Sequence, residues 1–373
     1  VNYVFYYFAG VKYFVYLFAT TFSTYIATMK LGNMAAENKA AYNAVKAELD
    51  RDGKKAWKAD FTKKKRRVLV PTLVFNFGIL AVLKYSGFVS ENLNALFAKI
   101  SAPVELPVFH FLLPLGISFY TFQALSYVID VYRREAWPQK NPFSLALYVS
   151  MFPQLIAGPI VRYHDVDMQL SAREHKKEVF SEGIDRFIYG LAKKVLLSNA
   201  FAQIADGVFG HATGELTFLL AWFGAAAYTL QIYYDFSGYS DMAIGLGKMF
   251  GFQFLENFNY PYISRSVTEF WRRWHMSLST WFRDYVYIPL GGNRCSAGRH
   301  ICNLLVVWGL TGFWHGANFT FLAWGLYFGA LLIVEKYALA RVLDRLPRIL
   351  THTYALFFIV IGWVLFRSDT LSY

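Results

Sequence analysis

Two histidines have the most chemistry to offer. His315 lies in GLTGFWHGANFTFLAWGLYFG at 309–329, and no Asp, Glu, Lys or Arg occurs over 301–334. Desolvation penalises an imidazolium, so a histidine in such a run stays a neutral proton acceptor near pH 7. That suits a general base activating a hydroxyl; the same residue also reads as a hydrogen-bonded core histidine. His275 lies in TEFWRRWHMSLSTWFRDYVYIPLGGN at 268–293. There Phe270, Trp271, Trp274, Leu278, Trp281, Phe282 and Tyr285 recur on one helical face, with Arg272, Arg273 and Arg283 off it. This spacing predicts one amphipathic helix ending before Pro289, suited to a membrane interface, with His275 at the border of its apolar side.

Other chemistries find no residues. HExxH and clustered Cys/His are absent, so no metal site is expected. Cys295 and Cys302 match no zinc spacing and set no disulfide framework. There is no GxSxG elbow. GLGK at 245–248 lacks the spacing of a phosphate loop, and Met249 stands where a Ser or Thr would be needed. Asp235 and Asp241, in TLQIYYDFSGYSDMAIGLGKMFG at 229–251, sit beside apolar sequence. Charges there need partners, and Asp235 is expected to pair with one of the later arginines. His164 reads as a surface-loop histidine.

The elements that position these residues are apolar. The 373 residues are 56% hydrophobic, 19% aromatic and 17% charged, against about 25% charged in soluble domains. Spans or partial spans are expected near 4–28, 68–85, 107–129, 143–160, 216–234, 301–315, 317–334 and 353–366. Pro153, Gly158 and Pro159 interrupt 148–175, which reads as a re-entrant turn followed by a loop. The uncharged run of 34 residues would be about 51 Å of helix, too long for one ~30 Å crossing. A hairpin turning at Gly316-Ala317-Asn318 and a kinked helix that holds His315 deeper both fit.

The net charge of +12 is unevenly spread: 30–67 holds twelve Lys or Arg, 86–106 one and 130–142 three. This alternation follows the positive-inside rule and puts 30–67 and 130–142 in the cytoplasm and 86–106 outside. Segment 30–67 reads as a basic cytoplasmic connector, helical by its Ala, Lys and Glu content. Basic patches beside spans attract anionic lipid head groups. No nucleic-acid reading motif accompanies the charge, so nucleic acid is not an expected partner. The reading is an all-α polytopic membrane protein.

Four pieces, FPQLIAGPIVRY (152–163), YYDFSGYSDMAIGLGKMFGF (233–252), FWRRWHMSLSTWFRDYVYIPLGGN (270–293) and GLTGFWHGANFTFLAWGLYFG (309–329), together resemble the membrane-bound O-acyltransferase superfamily, in its alginate- and polysaccharide-acetylating branch. The resemblance implies a multi-helix bundle with re-entrant and interfacial helices around a central funnel or tunnel. It implies that His315 in Trp314-His315-Gly316 and His275 in the RWH element are catalytic, His315 as general base. Arg272, Arg273, Trp274, Asp235, Trp314 and Asn318 are then the donor-binding or structural candidates. No bound cofactor is implied; acetyl-CoA or another acyl thioester serves as cytoplasmic donor. The implied partners are an extracytoplasmic SGNH-type acetyl-transferring protein and a polysaccharide acceptor, and the implied location is a bacterial inner membrane, crossed several times. One transmembrane domain is expected over 1–373, lacking N- and C-terminal spans. The rival branch is D-alanyl transfer to teichoic acid. A channel or transporter lined by Asp235, Asp241 and His315 is the rival of another class, weakened by the missing internal repeat.

Overall fold

The structure is a computed structural model that describes residues 2–155, 158–211 and 213–371. Among these every regular element is helical. They fall into two compact units, one from 1–156 and 161–173, the other from 157–160 and 174–373.

The first unit opens with α1 (Asn2–Ala9) and α2 (Phe14–Val45). Leu17, Thr20, Thr24, Ala27, Thr28 and Leu31 are buried along one stripe of α2 at three- and four-residue spacing. That stripe packs α2 against α3 (Arg51–Lys99) and α4 (Ile117–Arg133). Buried Asn76 of α3 donates to Ser23 Oγ at 3.0 Å, which fixes the pairing of α2 with α3.

Segment 30–67 is helical, but as the ends of two helices. Asp50 breaks it by capping α3, where its carboxylate accepts from Gly53 N at 2.7 Å. With 49 residues, α3 is about 74 Å long. It therefore carries its basic first turns well beyond its membrane-length apolar window. It also runs on through most of 86–106, read from sequence as a connection: Gly87 does not break the helix, and Pro103 comes only after its end.

Helices α5 (Pro142–Val149), α6 (Phe152–Leu155) and α7 (Tyr163–Ser171) complete this unit. Helix is lost over 158–162, as the Pro and Gly of that stretch require. Ile156 and Ala157, inside the stretch read as a re-entrant turn, lie outside the described residues. His164 is not in a loop but in the first turn of α7, where it faces Asp130 Oδ2 (3.6 Å) and Asp165 Oδ1 (3.1 Å). Those two carboxylates, Asp130 first, raise its pKa to about 9.

The second unit begins with α8 (Lys177–Ala192), a π-helical turn over Lys193–Ser198 and α9 (Asn199–Phe209). They lie along α10 (Phe218–Met249), antiparallel to it. A Cβ on Gly190 would stand 2.5 Å from Gly238 O, and one on Gly183 2.8 Å from Gly245 O. Only glycine permits so close a backbone approach, the device by which helices pack within bilayers. The π turn re-aims two lysines. Lys194 meets Asp235, and Lys193 meets Asp241 at 2.6 Å, with Arg186 on its other oxygen at 2.7 Å. Asp235 thus pairs with an earlier lysine rather than a later arginine, because the π turn brings Lys194 alongside it.

Then come α11 (Val267–Arg273), α12 (Met276–Phe282), α13 (Ala297–His315), α14 (Phe319–Val334), α15 (Ala340–Leu343) and α16 (Arg348–Arg367). Helices α13 and α14 form the hairpin, turning at 316–318. A Cβ on Gly325 would lie 2.2 Å from Trp308 O. The core of the unit is aromatic: Phe270, Trp271, Trp274, Trp308, Trp324, Phe328 and Trp363 are all buried. Trp363 Nε1 donates to Tyr262 Oη (3.1 Å), and Tyr262 Oη to Thr229 O (2.7 Å). The buried polar ends of Trp363 and Tyr262 are thereby satisfied, while Trp271 Nε1 and Trp324 Nε1 have no hydrogen-bond partner among the described residues.

Candidate active site

The single amphipathic helix expected to end before Pro289 is broken at His275, which lies in left-handed conformation with φ of +44°. All seven residues assigned to its apolar face are nevertheless buried. The break follows from hydrogen bonds that the preceding segment offers. Asn259 N donates to Arg273 O and Met276 N to Asn257 O, each at 2.9 Å, so 257–259 pins both sides of the elbow. A non-glycine residue held at positive φ costs about 1–3 kcal/mol, which the surroundings must offset.

Asn257 supplies that offset. It is fully buried, and its Oδ1 accepts from Ser277 N (3.2 Å), Ser277 Oγ (2.9 Å) and His275 Nδ1 (3.2 Å). Its Nδ2 donates to Ser240 Oγ at 3.1 Å. The Ser277 amide can only donate, so the atom facing it is the oxygen, and the proton of His275 sits on Nδ1. The lone pair is therefore on Nε2. That atom is buried, with no hydrogen-bond partner among the described residues.

A second buried group holds α11. Glu335 accepts from Val267 N (2.6 Å), Thr268 N (2.8 Å) and Thr268 Oγ1 (2.5 Å). A carboxylate at this end of a helix takes up amides that lack partners in the helix itself.

His315 is the last residue of α13. It is partly buried, inside a box of rings: Trp314, Trp324 and Phe366 stand nearly perpendicular to it with centroids 5.0, 5.0 and 5.1 Å away, and Phe321 lies at 6.5 Å. Trp314 joins the two histidines, with its centroid also 6.1 Å from that of His275. Phe236 meets His275 edge-on at 4.6 Å. Residues forty apart in sequence thus share one aromatic wall.

The other sequence candidates divide. Trp274 is a core ring, 4.7 Å from Trp363. Arg273 is tied to Glu269 (2.9 Å) and Asn259 O (3.2 Å). Arg272 is exposed, without an ion pair or side-chain hydrogen bond among the described residues. Asn318 caps α14 by accepting from Thr320 N (3.1 Å) and donates to Asp369 O (3.1 Å), a structural role. Asp235 is held by Lys194 and by Ser198 Oγ, which donates at 3.2 Å. Asn257 and Glu335 were not among the candidates. Asn257 lies in a stretch without periodicity, and Glu335 stands one residue past the uncharged run; the presence of an acid just there was the only signal.

Comparison with known proteins gives the family of the chain. A family model described as MBOAT, membrane-bound O-acyltransferase family, matches residues 138–367. The chain belongs to that family of membrane proteins. It is 46% identical over 311 residues to the probable alginate O-acetylase AlgI of Azotobacter vinelandii, covering 83% of this chain and 62% of that protein. It is 37% identical over 338 residues to the peptidoglycan O-acetyltransferase of Helicobacter pylori, covering 83% and 63%. The teichoic acid D-alanyltransferase of Bacillus subtilis is 29% identical over 236 residues, 58% of each chain. The chain thus spans about three-fifths of the length of these relatives.

Proposed function

We propose that the chain is the membrane-embedded acyl-transferring part of an O-acetyltransferase. It takes an acetyl group from a cytoplasmic thioester, acetyl-CoA in the first instance, toward an extracytoplasmic polysaccharide. The observation that carries this reading is the pair of histidines on Trp314, one of them with its Nε2 lone pair inside the protein and unused. Identity is higher to relatives named for O-acetylation than to the one named for D-alanyl transfer, which favours acetyl as the group moved.

In this reading His315 is the general base. It removes the proton of the acceptor hydroxyl as oxygen attacks the thioester carbonyl. The C–O bond forms, the C–S bond breaks, and the proton ends on the departing sulfur, so thioester and alcohol become ester and thiol. The imidazolium formed in passing sits at the carbonyl end of α13 among aromatic rings, surroundings that stabilise positive charge. His275 orients the hydroxyl or relays its proton through Nε2, with its tautomer set by Asn257. Arg272 is the one arginine of its pair with a guanidinium open to an anion. An SGNH-type partner would carry the acetyl group onward to the polysaccharide, and a bacterial inner membrane is the expected location.

The test is labelled acetyl transfer from acetyl-CoA into base-labile ester in membrane vesicles carrying the chain with its partner protein and polysaccharide. Incorporation above that of vesicles lacking the chain is expected. No incorporation, with the chain present at normal level, would remove the reading.

A further inference from the structure

The end of α2, the basic start of α3 and the last turn of α4 border a cleft of about 1050 Å³ that the histidine chemistry does not use. Seven of its thirteen lining residues are Lys or Arg, and one, Asp52, is acidic. Among the described residues Lys54, Lys55, Lys58 and Arg134 stand in no ion pair. Like charges gathered around one cavity repel each other and raise its potential until an anion enters. The cleft also has an aromatic wall. Trp57 is fixed by donating Nε1–H to Asn38 Oδ1 (3.0 Å) and lies 6.0 Å from Tyr42. Phe61 is flanked by Lys65 at 5.2 Å and Arg134 at 5.3 Å.

Cations that take phosphates and an indole that takes the face of a base are the two halves of nucleotide recognition. The volume is that of a small-molecule site, and a lipid head group has no base to place on Trp57. We propose that this cleft binds a nucleoside polyphosphate, with its phosphates among Lys54, Lys58 and Arg134 and its base against Trp57. The same chemistry is presented by the nucleotide half of a thioester donor, a source that rests on the acyl-transfer reading above, and by a free nucleotide.

The test uses the whole chain in nanodiscs of zwitterionic lipid, titrated with coenzyme A, ADP and inorganic diphosphate. Lys54, Lys58 and Arg134 are exposed, so their joint replacement by Ala leaves the fold intact. It should weaken coenzyme A and ADP at least tenfold. Trp57→Ala should weaken both several-fold and leave diphosphate unchanged, with Trp57→Phe restoring them. Equal binding by the triple variant would overturn the proposal. So would nucleotide binding indifferent to Trp57→Ala, which marks a charged patch for anionic head groups. A raised KM for acetyl-CoA at unchanged kcat in the triple variant identifies the donor as occupant; an unchanged KM with ADP binding lost identifies a free nucleotide. A wild-type chain that binds nucleotide but transfers no acetyl would sink the acyl-transfer reading and leave this one standing.

Discussion

Replacing Asn257 by Ala removes one oxygen that holds His275 Nδ1, Ser277 N and Ser277 Oγ. The Ser277 hydroxyl can rotate to another acceptor; the amide and the ring N–H cannot. A buried donor left unmatched costs about 1–3 kcal/mol. Two of them set the loss of stability at about 2–6 kcal/mol. The elbow also loses the contact that compensates its positive φ, so His275 moves. A displacement near 1 Å at a reacting group costs about 100-fold. Acetyl transfer in vesicles, normalised to the amount of chain in the membrane, should therefore fall about 100-fold or more. The loss should lie in kcat, with the KM for the thioester little changed. Asn257→Ala at normal membrane level, with a rate within about threefold of wild type, would refute the reasoning.

Glu335→Ala leaves Val267 N and Thr268 N without their acceptor and should cost about 2–6 kcal/mol, read as a lower midpoint of thermal unfolding in detergent. Gly325→Leu places a side chain against Trp308 O, where even a Cβ stands at 2.2 Å; it should split the α13–α14 hairpin and sharply reduce the folded yield, while Gly214→Ala, with open space around it, should not. His164 is raised from 6.5 to about 9 by Asp130 and then Asp165. Its contribution is therefore complete below about pH 6.5 and lost as pH rises through about 9. Solvent at this half-exposed site keeps it within about 1 kcal/mol. NMR titration of the labelled ring should give a midpoint near 9, and a midpoint near 6.5 would contradict the contact.

The sequence shows which residues are buried better than how the backbone reaches them. Seven apolar positions between Phe270 and Tyr285 have helical spacing and all are buried, yet the helix breaks at His275. The spacing passes through the elbow unaltered because Trp274 and Leu278 pack on either side of it. The break is encoded in Asn257, eighteen residues earlier, and no local pattern displays that contact. Glu335 acts across 68 residues for the same reason. The partner of Asp235 was missed because a π turn shifts Lys194 to a position that 3.6-residue spacing does not give it. The two histidines can be singled out in the sequence as candidates, one by its uncharged run and the other by its place at the border of an apolar face, and the structure sets both against Trp314. The α13–α14 turn was legible as one of two choices, and Asn318, which caps α14, decides for it.

In the proposed reaction the His315 ring takes the proton of the acceptor hydroxyl. Labelled acetyl transfer by His315→Ala and His315→Gln, in the vesicles used for wild type and at equal membrane level, tests it most directly. Loss of a general base lowers the rate by about 10²–10⁴-fold, and both variants should fall in that range while remaining folded. Transfer by either variant at a rate close to that of wild type would contradict the claim.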